Sequence, residues 1–178
     1  MKEEILIAGF GGQGVLSMGK ILAYSSVMQG DEVSWMPSYG PEMRGGTANV
    51  TVILSTDRIS SPVIQEYDTL IALNQQSLDK FEDSVKEGGL LLYDPNGMTR
   101  EPRRTDIEVR SVAATEFAAK LGNAKVFNMI VLGAYLKLKP IVEYDNVIEG
   151  LKKSLPERAH KMIPANEEAI KLGMEIVK

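Results

Sequence analysis

The feature that most constrains this chain is the stretch Gly9-Phe10-Gly11-Gly12-Gln13-Gly14, which follows the apolar run Ile5-Leu6-Ile7 directly. Gly9, Gly11 and Gly14 have G-x-G-x-x-G spacing between a predicted strand and a predicted helix, the context in which that spacing has a mechanism. Without side chains the backbone can bend sharply and let another group approach. The free N–H groups of the first helical turn then favour an anion. The alternative is a turn that only packs the first helix against the sheet, and the pattern alone leaves both readings open.

The periodicity on either side of the turn predicts an α/β fold. Glu4 to Ala8 reads as a buried strand, Val15 to Gln29 as a helix ended by Gly30-Asp31, and Val33 to Met36 as a second strand. This β-α-β opening is the signature of a parallel sheet with helices on its faces. Further strands are predicted at Thr47–Leu54, Thr69–Leu73, Leu90–Tyr93 and Ile107–Val112. Asn96 to Thr105 reads as a polar connection. The last third is helical, with segments at Thr115–Leu121, Asn128–Leu136, Asp145–Leu155 and Pro164–Val177. No repeat or linker divides the 178 residues, so a single domain, 1–178, is expected.

Composition removes several classes of function. There is no cysteine, so the chain holds neither an iron–sulfur cluster nor a thiolate zinc site by itself. A net charge of -4 argues against a nucleic-acid partner. No apolar run approaches the ~20 residues of a membrane span, and the first residues lack a signal-peptide pattern, so a cytoplasmic location is expected. No catalytic triad, metal-ligand cluster or P-loop lysine stands out, and no catalytic residue is expected. His160 is the only histidine and has no nucleophile in a recognisable arrangement with it. Arg100, Arg103, Arg104 and Arg110 interleave with acids and read as a solvated loop. Asn128 reads as a helix cap.

A dinucleotide site needs an acid at the end of the second strand to hold the ribose. That strand ends Trp35-Met36-Pro37-Ser38, while Asp31 and Glu32 precede it, which counts against NAD or FAD. The stretch Pro37 to Gly46 reads as an irregular loop at the carboxyl end of the second strand, where open sheets place ligands. It carries an aromatic, an acid and a base in Tyr39, Glu42 and Arg44.

Three segments together resemble a known family. Ile7–Val15, Ser38–Asn49 (which includes Met43-Arg44-Gly45-Gly46-Thr47-Ala48-Asn49) and Asn128–Ala134 are similar to the gamma subunit of 2-oxoacid:ferredoxin oxidoreductases, with the Met43–Asn49 wording closest to 2-oxoglutarate or branched-chain 2-oxoacid members. The resemblance implies a Rossmann-like, mostly parallel sheet with helices on both faces and a helical C-terminal third. It implies a non-redox subunit of a complex that oxidatively decarboxylates a 2-oxoacid, joins the acyl group to coenzyme A and reduces ferredoxin. The isolated chain is then expected to be inactive. Thiamine diphosphate and iron–sulfur clusters belong to partner subunits: a thiamine-binding chain, a substrate-binding chain and a ferredoxin-like chain. Coenzyme A is the ligand this chain would share. Gly9, Gly11, Gly12, Gln13 and Gly14 would border its crevice, and Tyr39, Glu42, Arg44, Thr47 and Asn49 would shape the neighbouring wall or touch a partner. Indolepyruvate oxidoreductase small subunits share these motifs. A free-standing dinucleotide-binding oxidoreductase domain and a purely structural interaction module are the competing readings.

Overall fold

A computed structural model describes residues 1–39 and 47–178. Six strands, β1 Lys2–Phe10, β2 Glu32–Tyr39, β3 Thr47–Ser55, β4 Tyr67–Ala72, β5 Val85–Tyr93 and β6 Glu108–Ser111, form one sheet in the order β2-β3-β1-β4-β5-β6. The helices are α1 Val15–Met28, α2 Gln75–Phe81, α3 Ala114–Lys120, α4 Phe127–Leu138, α5 Tyr144–Ser154 and α6 Ile163–Ile176.

β1, β4, β5 and β6 are parallel neighbours. Their apolar runs are nearly continuous because strands between two helical layers are buried on both faces. Ile5, Ile7, Ile71, Leu90 and Leu92 face a core built with α1, α3, α4, α5 and α6. Leu6, Leu70, Ala72 and Leu91 face a smaller core closed by α2 through Leu78 and Phe81. The expected mostly parallel sheet, helices on both faces and helical last third are all present.

The sequence reading needs correction at three places. β1 and β2 run the same way but are not neighbours, because β3 lies between them and pairs antiparallel with both. Strand β2 extends to Tyr39, so Pro37, Ser38 and Tyr39 belong to a strand and not to a loop. Gly40 to Gly46, with Glu42 and Arg44, lies outside the described residues. Helix α2 was not expected at all. It is a single short element, and its start is fixed by Asn74, whose side chain accepts from the Ser77 N–H at 2.7 Å.

The amino ends of the parallel strands carry a charged knot. Lys86 bridges Glu4 at 2.6 Å and Asp68 at 2.8 Å. Glu3 is 6% exposed and accepts from the Thr69 hydroxyl at 2.6 Å, with Lys139 at 3.8 Å. Burial outweighs these partners and raises its pKa above the ordinary 4.5. A raised carboxyl pKa contributes stability that is complete below 4.5 and lost as pH climbs through the shifted value. Glu3→Gln is therefore expected to raise the melting temperature at mildly alkaline pH and leave it unchanged below 4.5. A calorimetric pH series in which the variant melts lower on the alkaline side would refute this account.

Candidate functional site

The glycine turn ends β1 and starts α1. Gly12 and Gly14 have φ of 95° and 74°, the left-handed region that favours glycine. Gly14 is the N-cap of α1, and no side chain caps the helix. The N–H groups of the first turn are thus left to solvent or ligand. A Cβ at Gly14 would also overlap the Asn128 side chain.

Gln13 borders the cavity beside the turn and also holds the turn in shape. Its carbonyl accepts from the Phe10 N–H at 2.6 Å, and its amide donates to the Leu73 carbonyl at 3.2 Å. Gly9 lacks a Cβ where one would strike this same Gln13 carbonyl. The connection after β1 leads toward β2, on one side of the sheet, and the connection after β4 leads toward β5, on the other. The gap between the carboxyl ends of β1 and β4 is therefore the topological switch point, the usual place of a dinucleotide. Gln13 spans it.

The open space lies to one side. A cavity of about 400 Å³ is lined by Gly12, Gln13 and Gly14, by Thr115 and Ala118 of α3, and by Lys125, Phe127 and Asn128 ahead of and within α4. Lys125 is exposed, and among the described residues no acidic side chain pairs with it. Asn128 does not cap α4, whose N-cap is Val126; its amide sits 3.4 Å from the Gly14 carbonyl. The helix cap nearby is Asn123, which accepts from the Lys125 N–H at 3.2 Å and so orders the turn that presents Lys125.

Asp94, at the end of β5, holds the opposite wall. It is 1% exposed and accepts from the Thr115 N–H at 2.9 Å and the Thr115 hydroxyl at 2.6 Å. Its other oxygen accepts from the Asn96 N–H at 3.0 Å. One buried carboxylate thereby fixes α3 against the sheet. An uncapped helix start and a lysine with no acidic partner among the described residues line the same cavity, and helix dipole, N–H donors and cation are each groups that attract an anion. Among the described residues no group of acids, histidine or cysteine is arranged to hold a metal ion.

The remaining expected residues divide. Thr47 pairs with Phe10 in register, so the start of β3 lies at the same end of the sheet as the turn. Asn49 pairs with Ala8 and Ser38. By strand alternation Thr47 and Asn49 belong to the face opposite Val50 and Val52, which pack in the α1 core. They are therefore on the other side of the sheet from the cavity. Tyr39 ends β2, paired with Ala48. Gly11 is partly exposed and is not among the residues that line the cavity. Lys125 and Thr115 escaped the sequence reading, since nothing local marks them; only their distance of about one hundred residues from the turn, closed by α3 and α4, makes them neighbours.

Comparison with known proteins adds a second line. Residues 4–176 match the family model for pyruvate ferredoxin/flavodoxin oxidoreductase. The chain is 40% identical over 173 residues to ketoisovalerate oxidoreductase subunit VorA of Methanothermobacter thermautotrophicus, covering 97% of this chain and 36% of that one. It is 34% identical over 188 residues to 2-oxoglutarate synthase subunit KorC of Methanothermobacter marburgensis, covering 99% and 97%. Among solved structures, the gamma subunit of a keto/oxoacid ferredoxin oxidoreductase from Geobacter sulfurreducens superposes with a TM-score of 0.82 at 29% identity, over 97% of this chain and 96% of that one. The chain thus spans little more than a third of VorA and nearly all of KorC.

Proposed function

Because this chain belongs to the pyruvate ferredoxin/flavodoxin oxidoreductase family, we propose that residues 1–178 form a single gamma-type domain. It serves a multi-subunit enzyme that decarboxylates a 2-oxoacid oxidatively with coenzyme A and passes electrons to ferredoxin. The relatives' names point to 2-oxoglutarate or a branched-chain 2-oxoacid as the substrate class. The lack of cysteine supports assigning iron–sulfur clusters to partner subunits. Thiamine diphosphate belongs with a thiamine-binding partner in this reading, and the isolated chain oxidises nothing. No helix among the described residues is long and apolar enough to cross a membrane, in keeping with a cytoplasmic enzyme.

The observation that carries the proposal is the cavity between the uncapped start of α1 and Lys125. Coenzyme A brings phosphates, and this site offers N–H donors and an ammonium on facing walls. The cavity, about 400 Å³, suits the phosphate-bearing part of so large a molecule and leaves the remainder to a partner subunit. Gly12, Gly14, Lys125 and Asn128 would hold the phosphates, while Gln13 and Gly9 keep the turn in shape. Tyr39, Glu42, Arg44, Thr47 and Asn49 are assigned to a partner-facing role.

Isothermal titration with coenzyme A tests the site. Lys125→Glu should weaken binding by at least about tenfold, the loss expected for one charge-assisted phosphate contact turned repulsive. In the reconstituted complex the same variant should raise KM for coenzyme A more than it lowers kcat. Tight NAD(H) binding with no response to coenzyme A would overturn the proposal in favour of a dinucleotide domain.

A further inference from the structure

A second cavity, of about 300 Å³, has Lys125 and Asn128 in common with the first. It lies where four helices converge: Ser17, Lys20 and Ile21 of α1 meet the start of α4, the end of α5 and the start of α6. Lys20 is about 9 Å further along α1 than Gly14, which lines the first cavity. The two cavities therefore follow one another along the same helix.

The lining of the second cavity has two characters. Ile21, Met129 and Leu151 are buried and give it an apolar floor. Ser17 and Lys20 are exposed, and no acidic residue lines the cavity. Among the described residues no acid pairs with Lys20. Its ammonium is 5.8 Å from the centre of the Tyr24 ring, a partner that leaves its N–H donors available. His160 fixes one wall. Its Nε2 lies 3.1 Å from the Lys152 carbonyl and 3.2 Å from the Leu155 carbonyl. A carbonyl only accepts, so this nitrogen carries a proton and ties down the end of α5, which supplies Ser154 and Leu155 to the lining.

An apolar floor with a cation and a hydroxyl beside it suits a flat heterocycle that carries an anionic group. Coenzyme A has such an end: adenosine with a 3′-phosphate, set apart from the diphosphate by the ribose. Resting on the coenzyme A reading above, we propose that the second cavity takes this end of the molecule. Lys20 and Ser17 hold the 3′-phosphate, the adenine lies on Ile21, Met129 and Leu151, and the diphosphate stays at the start of α1 with Lys125. The pantetheine arm is then what remains for a partner subunit. The site selects coenzyme A over 3′-dephospho-coenzyme A, which lacks only that phosphate.

Isothermal titration of the reconstituted complex with these two compounds tests the assignment, with melting temperatures checked for each variant. The unsubstituted complex should prefer coenzyme A by at least about tenfold, the worth of one charge-assisted contact. Lys20→Gln should abolish the preference by weakening coenzyme A and leaving dephospho-coenzyme A unchanged. Lys153→Gln, at an exposed lysine of α5 that does not line the cavity, should keep the preference. Lys125→Glu should weaken both compounds. Equal binding of the two by the unsubstituted complex, or a preference that survives Lys20→Gln, overturns the 3′-phosphate site. So does a preference that falls as far with Lys153→Gln, which would make it an effect of general surface charge, or a Lys20→Gln variant that weakens both compounds alike. In each of these cases weaker binding by Lys125→Glu leaves the coenzyme A reading standing. Coenzyme A binding that neither Lys20→Gln nor Lys125→Glu alters overturns both.

Discussion

Gly133→Val is expected to destabilise the chain by about 3 kcal/mol, near the upper end of ordinary overpacking costs. For a domain of this size that lowers the melting temperature by roughly 6–12 °C. Gly133 on α4 and Gly173 on α6 face one another's helix reciprocally. A Cβ at Gly133 would drive into the Ile170 carbonyl, and one at Gly173 into the Ile130 carbonyl. Each helix gives up about 1 kcal/mol of propensity by holding glycine in its interior. What it gains is backbone-to-backbone approach that buries Ile130 and Ile170 completely. The obstacle is a carbonyl on a helix, which cannot swing aside as a side chain can, so the helices must separate. Gly133→Ala should act in the same direction more weakly. Combining it with Gly173→Ala should cost less than the sum, since either alone already parts the helices. The movement also reaches the cavity, because α4 carries Asn128, so coenzyme A should bind more weakly to the folded fraction. Unfolding in which Gly133→Val melts within a degree of the unsubstituted chain would remove this account of the α4–α6 contact.

The second large effect is expected at Glu82. Its side chain is 5% exposed. One carboxylate oxygen accepts from the N–H groups of Arg103 and Arg104, and the other from the Arg100 guanidinium at 2.9 Å. Burial by itself would raise the pKa; the three donors outweigh it and bring the pKa below the ordinary 4.5. Glu82→Ala leaves the two backbone donors without their acceptor and the Arg100 guanidinium with only Asp79 and the Glu101 carbonyl. A loss of about 3 kcal/mol is expected, as for a buried pair with one member removed. Because the carboxyl pKa is lowered on folding, this stabilisation is present above 4.5 and fades as pH falls through the lower, folded value. Urea midpoints for wild type and variant should therefore lie far apart at neutral pH and converge in acid. A gap that stays constant across that range would show that the charge of Glu82 is not what holds the segment.

The same acid corrects the reading of the arginine cluster. Arg100, Arg103 and Arg104 do occupy an irregular segment before β6, but its course is set by a buried carboxylate, and Arg110 lies within β6 itself. Alternating charges along a sequence look the same whether they sit on a solvated loop or wrap a buried acid. Glu82 was not singled out because nothing in its own neighbourhood distinguishes it from the exposed acids beside it.

What the sequence alone determined is what local chemistry governs. The turn from Gly9 to Gly14, the start of α1 at Val15 and the helices of the last third follow from side-chain periodicity and from glycine's access to positive φ, and these act over a few residues. The family likeness was legible for the same reason, since its motifs are short and contiguous. Tertiary structure decided the rest. Whether β1 and β2 pair, or admit β3 between them, depends on hydrogen bonds between strands about forty residues apart, and strand periodicity is the same either way. That Lys125 lines the same cavity as Gln13 was hidden for a like reason. Gln13 reaches the local Phe10 N–H and also the Leu73 carbonyl, which only the β1–β4 pairing brings within its reach, and Lys125 comes to the cavity only once α3 and α4 have packed.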